Sequence, residues 1–210
     1  MKLLTEIAKN HKTDKGEEGH IYTDVYDDYL LPRRNEAMNF FEIGIFDGES
    51  MRMWREYLPN ANIIGLDINP ESKKHDGERN KVYIGSQTDE MVLWKIFNEN
   101  KPISVIIDDG SHQWNHIIQT FDLAFPLLAP GGLYFIEDLH TSYAGAPWAV
   151  GSETAVNYLK SLVDDVNIRG KSFMGLKELE GKPLAYNEHY IEWVHFYKSL
   201  CVIKKRQSPL

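Results

Sequence analysis

One stretch of the chain, Ile103 to Tyr143, limits the possible folds more than any other. It contains two short apolar runs, Val105 to Ile107 and Leu133 to Ile136, and each is followed directly by two acidic residues. The segment between the runs has apolar side chains at helical spacing and ends in Ala-Pro-Gly-Gly, which predicts a helix closed by a turn. A strand, a helix and a second strand in this order form a crossover unit with parallel strands. Both acidic pairs are therefore expected at the carboxyl edge of one sheet, where open α/β sheets bind ligands.

The composition excludes several classes of function. The 210 residues carry a formal net charge of −8, whereas a protein that binds the phosphate backbone of nucleic acids needs a basic stripe. The single cysteine, Cys201, excludes an intrachain disulfide and reads as a small buried hydrophobe. No apolar run approaches the ~18 residues of a membrane span, and the first residues turn polar too soon for a signal peptide. We expect a cytoplasmic protein without a nucleic-acid partner.

No internal repeat or low-complexity linker divides the chain, so residues 1–210 are expected to form one domain. The sequence of the N-terminal segment, 1–36, predicts a short helix, then a polar loop from Asn10 to Gly19, and then a tyrosine-rich helix that ends at Pro32. Loops with charged groups near an active site are often lids. The tyrosine-rich helix either packs on the core or faces a substrate or a second subunit, and the sequence leaves both alternatives open.

Five further apolar runs predict strands, which gives seven in all. These runs are 39–45, 62–66, 81–84, 190–197 and 200–204. The last two flank Lys198-Ser199 and predict a terminal β-hairpin, whereas the polar stretch 170–188 is expected at the surface. We therefore expect an α/β fold with a seven-stranded, mostly parallel sheet, helices on both faces and an antiparallel C-terminal hairpin.

The ends of the first three predicted strands carry residues suited to a nucleotide-like ligand. Gly44 and Gly48 lie between a strand and a helix, an order that brings the backbone close to such a ligand, although their spacing also fits a plain tight turn. Asp67 ends the second strand about 20 residues later, where an acid accepts hydrogen bonds from ribose hydroxyls. A capping role is the alternative for this residue. Ser86 and Gln87 follow the third strand and are able to reach an adenine ring.

Glu42 lies within an otherwise apolar strand. A buried carboxylate without a partner is costly, and the loop that follows offers no nearby Lys or Arg. An acid at this place repels the pyrophosphate of a dinucleotide but suits an ammonium or sulfonium group. The sequence therefore favours S-adenosylmethionine as the cofactor.

Three acids at the next two strand ends, Asp109, Glu137 and Asp138, are hard oxygen ligands suited to Mg²⁺. Without a cation, clustered carboxylates repel one another and some of them protonate. The alternative is that they cap helices or pair with Lys or Arg, but few such residues are close in sequence. His112 is a candidate general base beside the metal, and His116, one helical turn further on, is a second. Either histidine could instead be a solvated or capping residue.

Five segments at these strand ends together resemble a known family. They are Glu-Ile-Gly-Ile-Phe-Asp-Gly-Glu-Ser at 42–50, Gly-Leu-Asp at 65–67, Gly-Ser-Gln-Thr-Asp at 85–89, Ile-Asp-Asp-Gly-Ser-His at 107–112 and Gly-Gly-Leu-Tyr-Phe-Ile-Glu-Asp at 131–138. The chain resembles class I S-adenosylmethionine-dependent methyltransferases. Among these it is similar to the metal-dependent sugar O-methyltransferases of macrolide biosynthesis and to proteins labelled cephalosporin hydroxylase-like. The resemblance covers roughly residues 10 to 205.

The resemblance implies a Rossmann-like fold and methyl transfer to a sugar hydroxyl group. It implies that Asp109, Glu137 and Asp138 bind Mg²⁺ and that His112 is the general base. It also places seven residues around the cofactor. These are Thr13, Glu42, Gly44, Asp67, Ser86, Gln87 and Asp108.

Several points stay open at this stage. The macrolide enzymes carry an additional N-terminal domain without a counterpart in these residues, so acceptor recognition and a homo-oligomeric assembly are both undecided. A nucleotide sugar, a glycosylated natural product and a surface polysaccharide all present suitable hydroxyls, and we expect the loops at 22–29 and 143–148 to select among them. A metal-dependent hydroxylase is an alternative, although iron oxygenases usually use two histidines and one carboxylate. A non-catalytic S-adenosylmethionine-binding module is another alternative, which a missing His112 or metal carboxylate would favour.

Overall fold

A single seven-stranded sheet is the centre of the computed structural model, which describes residues 3–173 and 184–210. The strand order is β3-β2-β1-β4-β5-β7-β6. The first five strands are parallel, and β7 runs antiparallel to both β5 and β6. This arrangement confirms the expected sheet with its antiparallel C-terminal hairpin. The strands are β1 (Asn39–Ile43), β2 (Asn62–Asp67), β3 (Asn80–Ile84), β4 (Ile103–Asp108), β5 (Leu133–Ile136), β6 (Ile191–Tyr197) and β7 (Leu200–Lys205).

Of the α-helices in the described residues, two precede β1, three lie between the parallel strands and two lie between β5 and β6. They are α1 (Leu3–His11), α2 (Thr23–Leu30), α3 (Glu49–Tyr57), α4 (Glu90–Asn100), α5 (Trp114–Ala124), α6 (Ala155–Phe173) and α7 (Tyr186–Tyr190). Two of these, α4 and α7, are absent from the prediction. A capping signal marks the start of α4, because the Asp89 carboxylate accepts hydrogen bonds from the backbone N–H groups of Met91 and Val92. The expectation of a surface segment at 170–188 falls largely on residues 174–183, which lie outside the described residues.

Helices cover both faces of the sheet, as expected. On one face α1, α2 and α3 bury a cluster that includes Tyr26 and Trp54, and on the other α4, α5 and α6 bury a cluster that includes Phe121 and Leu159. Because β1 and β4 are covered on both sides, their side chains form near-continuous apolar runs. Among the described residues, no helix has the length and apolar character needed to cross a membrane.

The strand register places the predicted site residues at one level. Ile43 of β1 pairs with Leu66 of β2 and with Asp108 of β4, and Asp108 pairs in turn with Ile136 of β5. The residues that follow these positions therefore leave the sheet side by side. The prediction that the strands of the central crossover unit are parallel and adjacent is confirmed.

Lys205, the last residue of β7, joins this strand to the end of α5. The last carbonyl groups of a helix have no helical partner. The buried Lys205 ammonium donates to the carbonyl oxygens of Phe125 at 3.2 Å, Pro126 at 2.8 Å and Leu128 at 2.7 Å, and it also faces three aromatic rings. Burial lowers the pKa of Lys205 to about 8.

Replacing Lys205 with Met should destabilise the fold, because three carbonyl groups would lose their hydrogen-bond donor. We expect the free energy of unfolding to fall by about 1–3 kcal/mol in urea denaturation at pH 7. The matched control is Lys198→Met, which removes the same charge from the exposed turn between β6 and β7. A loss for Lys205→Met no larger than that of the control would contradict the assigned role.

Candidate active site

A cavity of about 630 Å³ opens at the carboxyl edge of the parallel strands. Pockets of this size hold small molecules and cofactors. Its wall is built from the loops after all five parallel strands, together with the segment that precedes α2. The lining includes 12–15, 43–46, 66–68, 85–87, 109–112 and Asp138.

Gly44 lets the backbone after β1 approach the loop after β4. Its φ of +81° lies in the left-handed region, and a Cβ atom there would lie 2.0 Å from the carbonyl oxygen of Asp109. The Asp109 N–H donates to Ile43 O at 2.9 Å, and the Gly44 N–H donates to Leu66 O at 2.8 Å. Since any side chain would collide with backbone, only glycine fits this position.

Asp67 lines the cavity and also holds the turn after β1. Its Oδ2 accepts hydrogen bonds from the N–H groups of Ile45 at 3.0 Å and Phe46 at 2.9 Å, and its Oδ1 accepts one from Asn69 at 2.8 Å. A carboxylate has about four acceptor positions, so a ribose hydroxyl can be accommodated as well. The turn role considered from the sequence is therefore present, and it is compatible with a ribose contact.

Gln87, at the third strand end, has a structural role in addition to the predicted place at the cavity. Its Nε2 donates to Asp108 Oδ1 at 3.1 Å and to Thr120 Oγ1 at 3.0 Å, while its Oε1 accepts from the Ser111 N–H at 2.8 Å. The amide group thus braces the loop after β4, and Gln87 also lines the cavity. Ser86 lines the cavity as expected, with its Oγ 3.0 Å from the Thr88 hydroxyl.

Asp108 does not line the cavity, contrary to the expectation from the resemblance. Successive side chains of a strand point to opposite faces, and Asp108 points toward α5 whereas its neighbour Asp109 points into the site. Its Oδ1 accepts from Gln87 and from the Gly110 N–H at 3.3 Å, and its Oδ2 has no partner among the described residues. Burial raises the pKa of Asp108 to about 7. Asp108 therefore supports the loop after β4 from the side of the sheet that faces α5.

Glu42 is also buried behind the cavity, so the expectation that a cationic ligand neutralises it is wrong. Its Oε2 accepts from the Ser50 hydroxyl at 2.9 Å and its Oε1 from the Trp54 indole N–H at 3.1 Å. The Lys15 ammonium lies 3.7 Å from Oε1. Burial raises the pKa of Glu42 to about 7, and Lys15 opposes this shift. The cation is supplied by a segment far upstream, which inspection of the loop after Glu42 could not reveal.

The Lys15 side chain is completely buried among carboxylates. Its ammonium group contacts Asp109 Oδ2 and lies 2.9 Å from Glu137 Oε1, in addition to the contact with Glu42. Burial opposes its charge, but these three carboxylates together raise the pKa of Lys15 well above its ordinary value. Lys15 is therefore an ammonium ion in the folded protein, and it is the main site residue that the sequence prediction missed.

Two tyrosines of the N-terminal segment hold the acidic pair after β5. The Tyr22 hydroxyl donates to Asp138 Oδ1 at 2.7 Å and accepts from the Asp138 N–H at 3.3 Å, and the Tyr26 hydroxyl donates to Glu137 Oε1. Both tyrosine rings are buried in the core cluster. The tyrosine-rich helix therefore packs on the core and at the same time orients groups of the site.

Three side chains converge where a metal ion could bind. Asp109, His112 and Asp138 each offer a ligand atom within 4.8 Å of the others. His112 Nε2 lies 3.9 Å from Asp109 Oδ1 and 3.6 Å from Asp138 Oδ2. His112 and Asp138 adopt φ values of 56° and 55°, and such left-handed residues cluster at functional sites. Glu137 is not in this group, because its Oε1 faces Lys15 and Tyr26.

The charge balance of the site favours an added cation. Glu42, Asp109 and Glu137 surround the ammonium of Lys15, and Asp138 lies beside His112 in the same region. Burial raises the pKa of Asp109, and burial followed by the charge of Asp109 raises that of Glu137 well above its ordinary value. Carboxylate oxygens in surplus over the available positive charge suit Mg²⁺, so the residues present fit this ion.

The remaining predicted site residues are near the cavity. Thr13 is buried in its wall, as the resemblance implies. His116 also lines it, but its Nδ1 lies 2.8 Å from the Ser111 hydroxyl, and burial lowers its pKa. His116 is therefore tied to the loop after β4, and of the two predicted histidines it is His112 that lies beside Asp109 and Asp138. His20 and His140 also approach Asp138, at 3.7 Å and 4.0 Å.

Comparison with known proteins identifies relatives of this chain. No protein-family model matches the chain. It is 33% identical over 215 residues to the 8-demethyl-8-alpha-L-rhamnosyl tetracenomycin-C 2′-O-methyltransferase of Streptomyces olivaceus. This alignment covers 98% of the present chain and 55% of the relative. It is also 34% identical over 215 residues to the demethylmacrocin O-methyltransferase of Streptomyces fradiae, in an alignment that covers 96% of the present chain and 53% of the relative. The chain thus spans about half the length of the curated relatives it matches.

A solved structure shows the same relationship in three dimensions. The MycE methyltransferase of mycinamycin biosynthesis, in complex with Mg, SAH and mycinamycin VI, has a TM-score of 0.83 and 31% sequence identity. The match covers 97% of this chain and 53% of that one. The chain described here belongs to the class I methyltransferases. Within this class, its homologues are sugar O-methyltransferases of macrolide and tetracenomycin pathways.

Replacing Gly44 with Ala should disrupt the site, because the added Cβ would collide with the Asp109 carbonyl oxygen and the backbone conformation is strained for alanine. We expect a loss of about 2 kcal/mol or more in the free energy of unfolding, measured by urea denaturation. Gly145→Ala is the matched control, since a Cβ there meets no atom within 4 Å. Equal stability of the two variants would refute the close-approach explanation.

Proposed function

We propose that this domain transfers a methyl group from S-adenosylmethionine to a hydroxyl group of a sugar, with Mg²⁺ as a second cofactor. The observation that carries the proposal is the convergence of Asp109, His112 and Asp138 at the edge of a cofactor-sized cavity. The homology to rhamnosyl and macrolide sugar methyltransferases supports the acceptor class. The cytoplasmic location and a homo-oligomeric state stay predictions.

The cofactor would occupy the cavity along the ends of β1, β2 and β3. Gly44 gives the ligand access to backbone, Asp67 is placed to accept from the ribose, and Ser86 lies at the far end where an adenine ring would reach. Exposed apolar side chains border this region at Phe46 and Ile68 and suit the faces of a purine. The MycE structure was solved in complex with SAH, which supports the choice of cofactor.

Asp109 and Asp138 would hold Mg²⁺, with Glu137 as the third carboxylate. The described contacts of Glu137 with Lys15 and Tyr26 both use Oε1, so Oε2 is the oxygen that would join the ion. When bound, the cofactors supply the methyl group and positive charge at the acceptor oxygen. The protein's own part is to fix these carboxylates, and the hydroxyls of Tyr22 and Tyr26 do so.

His112 would remove the proton of the acceptor hydroxyl group. A sugar hydroxyl is far too weak an acid to ionise at neutral pH, so methyl transfer to its oxygen needs a base near the metal. The Nε2 atom of His112 lies within 4 Å of both Asp109 and Asp138, which stabilise the imidazolium that forms. Holding the acceptor oxygen in line with the methyl group supplies further acceleration by orientation.

The acceptor would enter beside the loop that follows β5. This loop is fastened next to His112, since the Trp114 N–H donates to Trp148 O at 3.1 Å and the Thr141 hydroxyl donates to His112 O at 3.3 Å. Tyr143 in the same loop is 78% exposed. Exposed aromatic rings suit the apolar faces of sugars, so we propose this loop as part of the acceptor site.

The hydroxylase alternative is less consistent with the site. Non-haem iron oxygenases bind the metal through two histidines and one carboxylate. Here the residues proposed to hold the metal, Asp109, Glu137 and Asp138, are all carboxylates, and the cluster contains one histidine, His112. The geometry therefore favours methyl transfer supported by Mg²⁺.

His112→Ala tests the assigned base. Turnover of labelled S-adenosylmethionine with a panel of rhamnosides should fall by a factor of about 10² or more, while calorimetric binding of S-adenosylhomocysteine changes little. His189→Ala, a histidine of α7 outside the site, is the control. Wild-type turnover by the His112 variant would remove this residue from the mechanism.

Chelation tests the metal. Activity should disappear in excess EDTA and return when Mg²⁺ is restored, because the carboxylate cluster alone provides no positive charge at the acceptor oxygen. Removal of chelator by gel filtration without added metal is the control, and it should leave the protein inactive. Activity that persists unchanged in EDTA would exclude Mg²⁺ from the reaction.

A further inference from the structure

The segment 12–22, between α1 and α2, borders the cofactor cavity and the carboxylate cluster at the same time. Thr13 and Asp14 line the cavity, and the next residue, Lys15, places its ammonium among the acidic side chains. The segment closes on itself through backbone hydrogen bonds, from His20 N–H to Asp14 O at 2.7 Å and from Tyr22 N–H to Lys15 O at 2.9 Å. It is therefore one compact unit that Lys15 connects to the sheet.

The three carboxylates around Lys15 come from three different strands. Glu42 belongs to β1, Asp109 follows β4 and Glu137 follows β5. The ammonium lies 3.7 Å from Glu42 and 2.9 Å from Glu137, and it contacts Asp109 directly. The Lys15 side chain makes these contacts without any exposure to solvent. Lys15 thus fixes the polar part of the segment to the central strands of the sheet, and the hydrogen bond of Tyr22 to Asp138 holds its end.

Little else in the polar part of the segment anchors it. Between residues 12 and 19, only Thr13, Lys15 and Gly16 are buried, and none of these has a large apolar side chain. Segments with few buried apolar contacts open locally at low free-energy cost. The position of the wall formed by Thr13 and Asp14 therefore depends on the ion pairs of Lys15.

We propose that Lys15 is a positioning residue that holds segment 12–22 closed over the cofactor cavity through its ion pairs with Asp109 and Glu137. The inference rests on the proposed function, because it concerns the same cofactor cavity. It links formation of the cavity wall to the carboxylates of the metal site.

Binding of S-adenosylhomocysteine, measured by calorimetry in the presence of EDTA, tests this inference without metal or acceptor. Lys15→Met should weaken binding at least about tenfold, because breaking a buried ion pair is strongly unfavourable. Lys9→Met removes the same charge from the exposed face of α1 and should bind like the wild type. Equal affinity of the Lys15 and Lys9 variants would overturn the inference.

Glu137→Gln gives a second arm in the absence of metal, because Glu137 contacts Lys15 without lining the cavity. This variant should weaken binding of S-adenosylhomocysteine severalfold. The double variant with Lys15→Met should bind no more weakly than Lys15→Met alone, since residues in one network are not additive. Fully additive losses would show that the two residues act separately and would contradict the proposal.

Hydrogen exchange shows whether the fold is intact. In Lys15→Met, deuterium uptake should rise in peptides from 12–22 and stay unchanged in α4, which lies on the opposite face of the sheet.

If deuterium uptake rises throughout the Lys15→Met protein, Glu137→Gln serves in its place with the same expected pattern. Unchanged uptake at 12–22 in a folded variant would overturn the proposal. A wild-type protein that fails to bind S-adenosylhomocysteine would instead refute the proposed function.

Discussion

The buried ammonium of Lys15 is the interaction on which the arrangement of the site depends. A cluster of acids this close together would repel, and several of them would have to take up protons. A single fixed positive charge lets Glu42, Asp109 and Glu137 share one region of the interior. The hydroxyls of Tyr22 and Tyr26 then orient the carboxylates after β5. The N-terminal segment, which looks peripheral in sequence, is thus an integral part of the site.

The parts of the fold that depend on local pattern were predictable. Apolar strands, glycine turns and the crossover unit gave the parallel sheet, and the register then brought Asp109 and Asp138 together as expected. Two features were not predictable. The side on which Asp108 emerges depends on where β4 ends, since a shift of one residue reverses the face. The partner of Glu42 is distant along the chain, and no local signal identifies Lys15 as that partner.

The site also shows how acidic residues of one type divide into different tasks. Asp109 and Asp138 face the cavity, whereas Asp108 and Glu42 are buried behind it and brace the loops. Asp67 combines both tasks, because its oxygens hold a turn and still border the ligand space. A carboxylate at a strand end is therefore insufficient evidence for ligand binding, and its hydrogen-bond partners decide the role.

The placement of β7 between β5 and β6 has a consequence for how the protein is made. During synthesis, β5 emerges well before the strand that pairs with its open edge. Until β7 is available, the edge beside Glu137 and Asp138 carries unpaired backbone groups, which are prone to pair with other chains. Domains fold as their last essential elements leave the ribosome. The newly synthesised chain therefore depends on residues made later to cover β5, the strand that precedes Glu137 and Asp138.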